Sequence, residues 1–600
     1  MFFLLPVFLA AGLFLPGYFL AGGRRQPLWW ASAFTLSLPV LFHSAFWLGI
    51  LHVPITLWTV LPCLLAVAGA AAWLGRKSKP PAAVKPAAPW TGHERLLLLV
   101  AAATGAVLFA RSATAPLLGF DALFRWDYLA QKILALHRFD FYPPLTPADF
   151  RQYFYVDGIP PMASIGHWWL YASVGEHLPV LISLFVAAEF ACTLAFTYGT
   201  AAALGSRRTG ILAAAILAAC PLYFRAVVIG QETGLTALSF AAMLYFVVTA
   251  RDENATGAMF RAGAAAALCA LCREYGWIAL VAGVVMLLWR REPVRRILVF
   301  ASTAVVLAAP WYVRNISLTG NPFYSIRFLG LPVNPVHDAI MQSYNAVFGV
   351  AHWRAANWLE LAATLAVLAA LPVLAGIPGA RRDVRRRGYW LVIILLLVAV
   401  WLQSVGYTSG GFVTSMRVLS PLMVVLAILA APVLESLAAR MDRRSALVAV
   451  VALSAAWTAL QGAAYPAEIL AHPQGGWAAA VFAPLAPSAE AQIGDRLART
   501  LPPGTRILSE SAYLHAALEG QGTDVVPVWS PEVSFLFTAS PEESERRLAA
   551  LHIGCVAVYL HSLNTTYLFR ASPFFAALPG RSRPLLQIED LVYFVAPNQP

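Results

Sequence analysis

Apolar runs of roughly 18 or more residues recur down most of this 600-residue chain, and every second gap between them carries arginine. A run of that length crosses a ~30 Å hydrocarbon core as a helix. Lipid offers no partner for a free backbone amide or carbonyl, so helices are the form required. Spans are expected near residues 2–22, 28–51, 55–75, 95–112, 178–204, 209–226, 233–250, 257–272, 274–290, 296–312, 356–379, 388–406, 416–438 and 445–463, about fourteen in all. With the N-terminus outside, the inside loops hold Arg24–Arg25, Arg76–Lys77–Lys79, Arg207–Arg208, Arg251, Arg290–Arg291–Arg295–Arg296, Arg381–Arg382–Arg385–Arg386–Arg387 and Arg440–Arg443–Arg444. The alternation is unbroken, as the basic bias of cytoplasmic loops requires. Three long segments then fall outside, at 113–177, 313–355 and 464–600.

Composition agrees: 60% of residues are hydrophobic and 12% charged, where a soluble chain carries about 25% charged residues. The net charge of +12 does not mark a nucleic-acid binder, because its arginines sit in short clusters between apolar runs rather than along one face. The first twenty residues lack a basic start, which suits a retained helix better than a cleaved signal. Cys269 and Cys272 have redox spacing but lie in an apolar helix without further ligands, so they read as packing. Abundant alanine and scarce lysine associate the chain with a GC-rich bacterium, hence a bacterial inner membrane. The expected architecture is a polytopic α-helical membrane protein. Residues 1–94 give leading helices and a Pro-rich inside linker (79–86), 95–463 a transmembrane core, and 464–600 a small extracytoplasmic α/β domain. In that tail, 489–501, 511–519 and 541–551 read as helices, and 505–508, 525–529, 555–560 and 591–595 as strands.

The first outer segment opens with Gly119-Phe120-Asp121-Ala122. On a helical wheel Ala122, Leu123, Trp126, Leu129, Ala130, Ile133, Leu134 and Leu136 fill one arc, while Asp121, Arg125, Tyr128 and Lys132 group opposite. That is the pattern of an interfacial helix whose polar side faces a water-filled cleft. Asp121 either caps this helix and pairs with Arg125 one turn on, or serves as a general base at the membrane surface; both roles are compatible. His167, beside Trp168 and Trp169, reads as an interface anchor.

Further charged groups collect at outer helix ends. Arg273 and Glu274 lie in Cys272-Arg273-Glu274-Tyr275-Gly276, Glu232 in Gln231-Glu232-Thr233-Gly234, Arg417 at the start of Met416-Arg417-Val418-Leu419-Ser420-Pro421, and Arg314 with Asn315 after Pro310-Trp311-Tyr312-Val313. Arginines from separate helices can converge on one phosphate, which their planar forks match. For Arg314 alone, snorkelling to lipid headgroups is the stronger reading. Glu189 sits mid-span, where an ionised carboxylate costs at least ~2.5 kcal/mol; a structural pairing and a substrate role stay open.

Over residues 95–463 these motifs resemble the GT-C class of membrane glycosyltransferases, which use polyprenyl-phosphate-linked sugars. The resemblance lies in Asp121 of the first outer segment, the turn Arg273-Glu274-Tyr275-Gly276, Pro310-Trp311-Tyr312-Val313-Arg314-Asn315 with Thr319-Gly320-Asn321-Pro322, and the helix start at Arg417. It implies inverting transfer of a sugar from a polyprenyl-phosphate donor to a glycan, lipid or protein acceptor on the outer face. Asp121 or Asp127 would be catalytic, and Arg273, Arg417 and Arg314 would hold the donor phosphate. Arg125, Glu232, Glu274 and Asn315 would line the same cavity. Some members carry an adjacent acidic pair where this chain has Asp121 and Asp127 six residues apart, so the identity of the base and the part of a divalent metal stay open. Arginine at the leaving phosphate removes any strict need for a metal. The competing readings are a lipid or polysaccharide flippase and a non-catalytic envelope-assembly protein.

Overall fold

The computed structural model describes residues 2–23, 28–75, 89–117, 121–250, 255–324, 326–381, 388–408, 411–471 and, with short breaks, 496–595. Outside these lie Arg24–Arg25, Arg76–Lys77–Lys79, Arg251, Arg382 and Arg385–Arg387, Gly119–Phe120, the 79–86 linker and most of the expected 489–501 helix.

Helices dominate. Eight are long and apolar enough to cross a membrane, and ten if each of two bent pairs counts as one span. The bent pairs are Arg207–Ala218 with Pro221–Val228, at 66°, and Ala355–Leu368 with Ala370–Arg381, at 102°. Pro221 explains the first break, since a helix ends readily before a residue that lacks the amide proton. Glu232–Val248, Glu274–Trp289 and Tyr389–Val405 are apolar but shorter. By length and composition the described residues therefore give eight to ten candidate spans, and the expected count of fourteen is not confirmed. Hydropathy counted apolar stretches, and several of these are broken or short.

Local signals place the ends. Thr91 and Glu94 form a capping box that starts Gly92–Thr114, and Arg207 closes on the same carboxylate at 3.0 Å. Gly320, at φ +77°, ends Val294–Thr319 in the left-handed conformation that glycine tolerates. The leading helices pack onto the core. Trp169 donates to the Phe8 carbonyl at 3.1 Å and the Phe34 and Phe185 rings meet at 5.6 Å.

The tail forms a five-stranded sheet in the order β2-β1-β3-β5-β4, with β1 Arg506–Ser509, β2 Val525–Pro527, β3 Ile553–Tyr559, β4 Pro584–Ile588 and β5 Leu591–Val595. β1 runs parallel to β2 and β3, while β5 is antiparallel to β3 and β4. β3 is central and apolar along its length, as a strand covered on both faces must be. The three segments expected on one side of the membrane meet here. Phe150, Phe154 and Val156 from the first, Tyr324, Ile340 and Tyr344 from the second, and the sheet residues share one apolar core.

Candidate functional site

Asp121 precedes a π-helical turn, Ala122–Trp126, that feeds the helix Asp127–Leu136. Such turns displace side chains from the regular helical rows. The expected amphipathic helix is therefore real, but its polar side does not face water. Tyr128 and Lys132 are buried beneath the tail domain, where Tyr128 donates to Glu519 at 2.6 Å and lies 2.9 Å from His515 Nε2. Lys132 pairs with Glu519 at 2.6 Å.

The Asp121 carboxylate meets two guanidinium groups. Arg417, 296 residues away, donates to it at 2.5 Å, and Arg125 approaches to 3.5 Å. Burial pushes the Asp121 pKa up, but the charges of Arg417, Arg125 and Arg273 outweigh that and hold it well below the usual carboxylate range. The Asp121 and Arg417 side chains remain 19% and 18% exposed, so the pair is open on one side. Arg417 also donates to Gln231 at 2.6 Å.

Arg125 is held from behind by Asp157, which accepts from its Nε at 2.6 Å and from the Tyr142 hydroxyl at 2.6 Å. The Tyr155 ring stacks 4.7 Å from the guanidinium. Asp157 is fixed in turn by the most specific motif of the sequence. Trp311 donates to the neighbouring Gly158 carbonyl at 3.0 Å and Asn315 donates to it at 2.8 Å. The motif thus runs Trp311 and Asn315 to Gly158, Asp157, Arg125 and finally Asp121. Asp157, Tyr142 and Gln231 escaped the sequence reading because no spacing ties Asp157 to Arg125 or Gln231 to Arg417; only the folded chain does.

On the other flank of Arg417, Arg273 lies 3.6 Å from Glu232 and 3.5 Å from Glu274. Both carboxylates are buried. The structure therefore gathers Asp121, Arg125, Glu232, Arg273, Glu274 and Arg417 into one charged cluster.

Three expected members stand apart. Asp127 is 2% exposed and accepts hydrogen bonds from the Tyr171 hydroxyl and from His177, the latter at 2.9 Å. The π-turn directs it away from the Asp121 side. Arg314 donates to the Tyr142 carbonyl at 2.7 Å and packs against the Phe139 and Trp311 rings, which leaves it buried rather than at a phosphate. Asn315 supports the Asp157–Gly158 turn and does not line the cluster. His167 is buried inside Met162–Val174 rather than at an interface. Glu189 is buried with Oε2 unpartnered among the described residues, so the pairing and transport roles gain no charged partner there.

Asp121 faces guanidinium groups, and among the described residues no group of three or more His, Cys, Asp or Glu side chains is placed to hold a metal ion.

The chain resembles known proteins in sequence and in fold. Residues 160–313 match the family model described as dolichyl-phosphate-mannose-protein mannosyltransferase. ArnT from Cupriavidus metallidurans in the apo state superposes with TM-score 0.51 at 16% identity, over 84% of this chain and 98% of that one. The same protein bound to undecaprenyl phosphate gives TM-score 0.50 at 15% identity, over 83% and 98%. The archaeal oligosaccharyltransferase AglB from Archaeoglobus fulgidus, in complex with an inhibitory peptide and a dolichol-phosphate, gives 0.48 at 12% identity, over 82% and 72%. No curated protein matches at the sequence level. The chain is a multi-pass membrane protein with the GT-C fold.

Proposed function

We propose that this GT-C-fold chain is an inverting glycosyltransferase that moves a sugar from a polyprenyl-phosphate donor to an acceptor on the outer face of a bacterial inner membrane. Residues 95–463 carry the transfer chemistry, and 464–600 form the extracytoplasmic domain. The observation that supports this reading is the half-open ion pair between Asp121 and Arg417, flanked by Arg125.

The chemistry runs as an exchange of partners. The donor phosphate takes Arg417 from Asp121, while Arg125, braced by Asp157, keeps the Asp121 carboxylate oriented. Losing one cation makes Asp121 a stronger base. It accepts the proton of the acceptor hydroxyl as that oxygen attacks the anomeric carbon from the face opposite the phosphate. The bond from the anomeric carbon to the phosphate oxygen breaks, its electron pair stays on the phosphate, and Arg417 stabilises the added charge.

The test uses the purified full chain in proteoliposomes containing undecaprenyl-phosphate glycosides and a membrane-extract acceptor. Release of undecaprenyl phosphate with loss of the glycosyl bond, abolished by Asp121→Asn, supports transfer. Movement of intact glycolipid between leaflets without bond cleavage, unaffected by Asp121→Asn, would establish the flippase instead.

A further inference from the structure

The sequence assigned Arg273 to the donor phosphate, and its surroundings argue otherwise. Two buried carboxylates, Glu232 and Glu274, flank this one guanidinium at 3.6 and 3.5 Å. An approaching phosphate would meet more negative charge than positive. On the Arg417 side, the one carboxylate in ion-pair contact among the described residues is Asp121.

The hydrogen-bonding state of this arm points to a different ligand. The Trp126 ring lies 6.0 Å from the Arg273 guanidinium and Tyr275 interacts with Glu232 and Arg273. Five buried polar atoms of this group have no hydrogen-bond partner among the described residues: Trp126 Nε1, Glu232 Oε2, Arg273 Nη1, Glu274 Oε1 and the Tyr275 hydroxyl. Leaving one such group unsatisfied costs about 1–3 kcal/mol, and a ligand that served these atoms would offset part of that cost. The set mixes donors and acceptors. The donor's phosphodiester anion only accepts, and would leave both glutamate oxygens unserved. A sugar hydroxyl donates and accepts at once, and several on one ring serve the whole set.

Position and looseness agree. Glu232 directly follows Gln231, which accepts from Arg417 at 2.6 Å, so the arm begins one residue from the guanidinium assigned to the phosphate. The Glu232 charge also reaches Arg417, so the arm adjoins the phosphate position as a sugar adjoins its phosphate. Among the described residues the Arg273 side chain makes ion pairs without hydrogen bonds, and it is 23% exposed. It can swing aside to let a hydroxyl enter.

We infer that the arm of Glu232, Arg273, Glu274, Tyr275 and Trp126 receives the hydroxyl-bearing sugar of the donor rather than its phosphate. This rests on the transfer reading above and divides its labour: Arg417 holds the phosphate, and this arm selects the sugar.

Binding of undecaprenyl phosphate, bare or carrying glucose, mannose, galactose or a pentose, to the full chain in detergent separates the two. With bare undecaprenyl phosphate, Arg417→Gln weakens binding at least ten-fold, while Arg273→Gln and Glu274→Gln stay within two-fold of wild type. At least one glycoside binds wild type ten-fold more tightly than the bare lipid, and Glu274→Gln removes that advantage. A parallel thermal-unfolding measurement identifies any variant that fails to fold, in which case Glu232→Gln replaces it. The inference is overturned if Arg273→Gln weakens bare-lipid binding as Arg417→Gln does, or if no glycoside outbinds the bare lipid. An unchanged bare-lipid affinity in Arg417→Gln would instead overturn the phosphate assignment on which the transfer reading stands.

Discussion

Asp121 and Asp127 are six residues apart, yet they live in different chemistry. Asp121 faces Arg417 and Arg125, from distant and near parts of the chain, and stays partly open. Asp127 is sealed between Tyr171 and His177, with no arginine in contact among the described residues. A π-turn of five residues separates the two directions. What distinguishes the two carboxylates is the set of cations brought to each by the fold, not their place in the segment.

The largest expected effect is on transfer. Asp121→Asn should lower the rate by about 10³-fold, the range for loss of a general base, and leave the protein folded. Asp127→Asn should leave transfer within a few-fold and instead lower thermal stability by about 1–3 kcal/mol, because a buried hydrogen-bond acceptor becomes a mismatched amide. Rates and unfolding curves on the same two preparations decide it; a reversal of the two patterns would exchange the roles of the carboxylates.

Next in size is Arg417→Lys. A lysine keeps the charge but loses the fork that reaches both Asp121 and Gln231, so kcat should fall about 10²-fold. Asp157→Asn should follow, with about a ten-fold loss in kcat and little change in donor KM. It frees Arg125 to wander without touching the phosphate site. As a positioning residue, Asp157 should be partly rescued by Glu, whereas a loss confined to KM would place it in substrate binding.

These expectations show where the sequence ran out. The alternation of apolar runs and basic loops exposed a multi-pass helical protein, and Asp121, Arg273 and Arg417 were visible because charges at helix ends are costly enough to stand out. Hydropathy could not reveal that Pro221 breaks one run or that Ala355–Arg381 folds back on itself. Nor could a helical wheel show that Tyr128 and Lys132 would be covered by a domain nearly 400 residues downstream. Arg314 shows the same limit: an arginine at a helix end gives no sign in the sequence of the two aromatic rings and the carbonyl that pack against it.

The smallest effect concerns that cover. His515, packed beneath Tyr128, and His337, against Tyr155 and Trp529, are both pushed down to about 4 by burial, so the folded protein holds them neutral. A histidine depressed in the folded state contributes stability that is fully present above its unfolded value of 6.5 and lost as pH falls toward 4. Thermal stability should therefore decline across that window. His515→Gln should remove about half of the slope, whereas a slope unchanged in this variant would separate His515 from the docking contact.

The central claim is that Arg417 trades Asp121 for a lipid phosphate, and binding of bare undecaprenyl phosphate to Asp121→Asn reads it directly. The variant should bind several-fold more tightly than wild type while losing transfer, because the guanidinium no longer has a competing carboxylate. Affinity equal to or weaker than wild type in a folded variant would contradict the exchange and leave the ion pair a structural one.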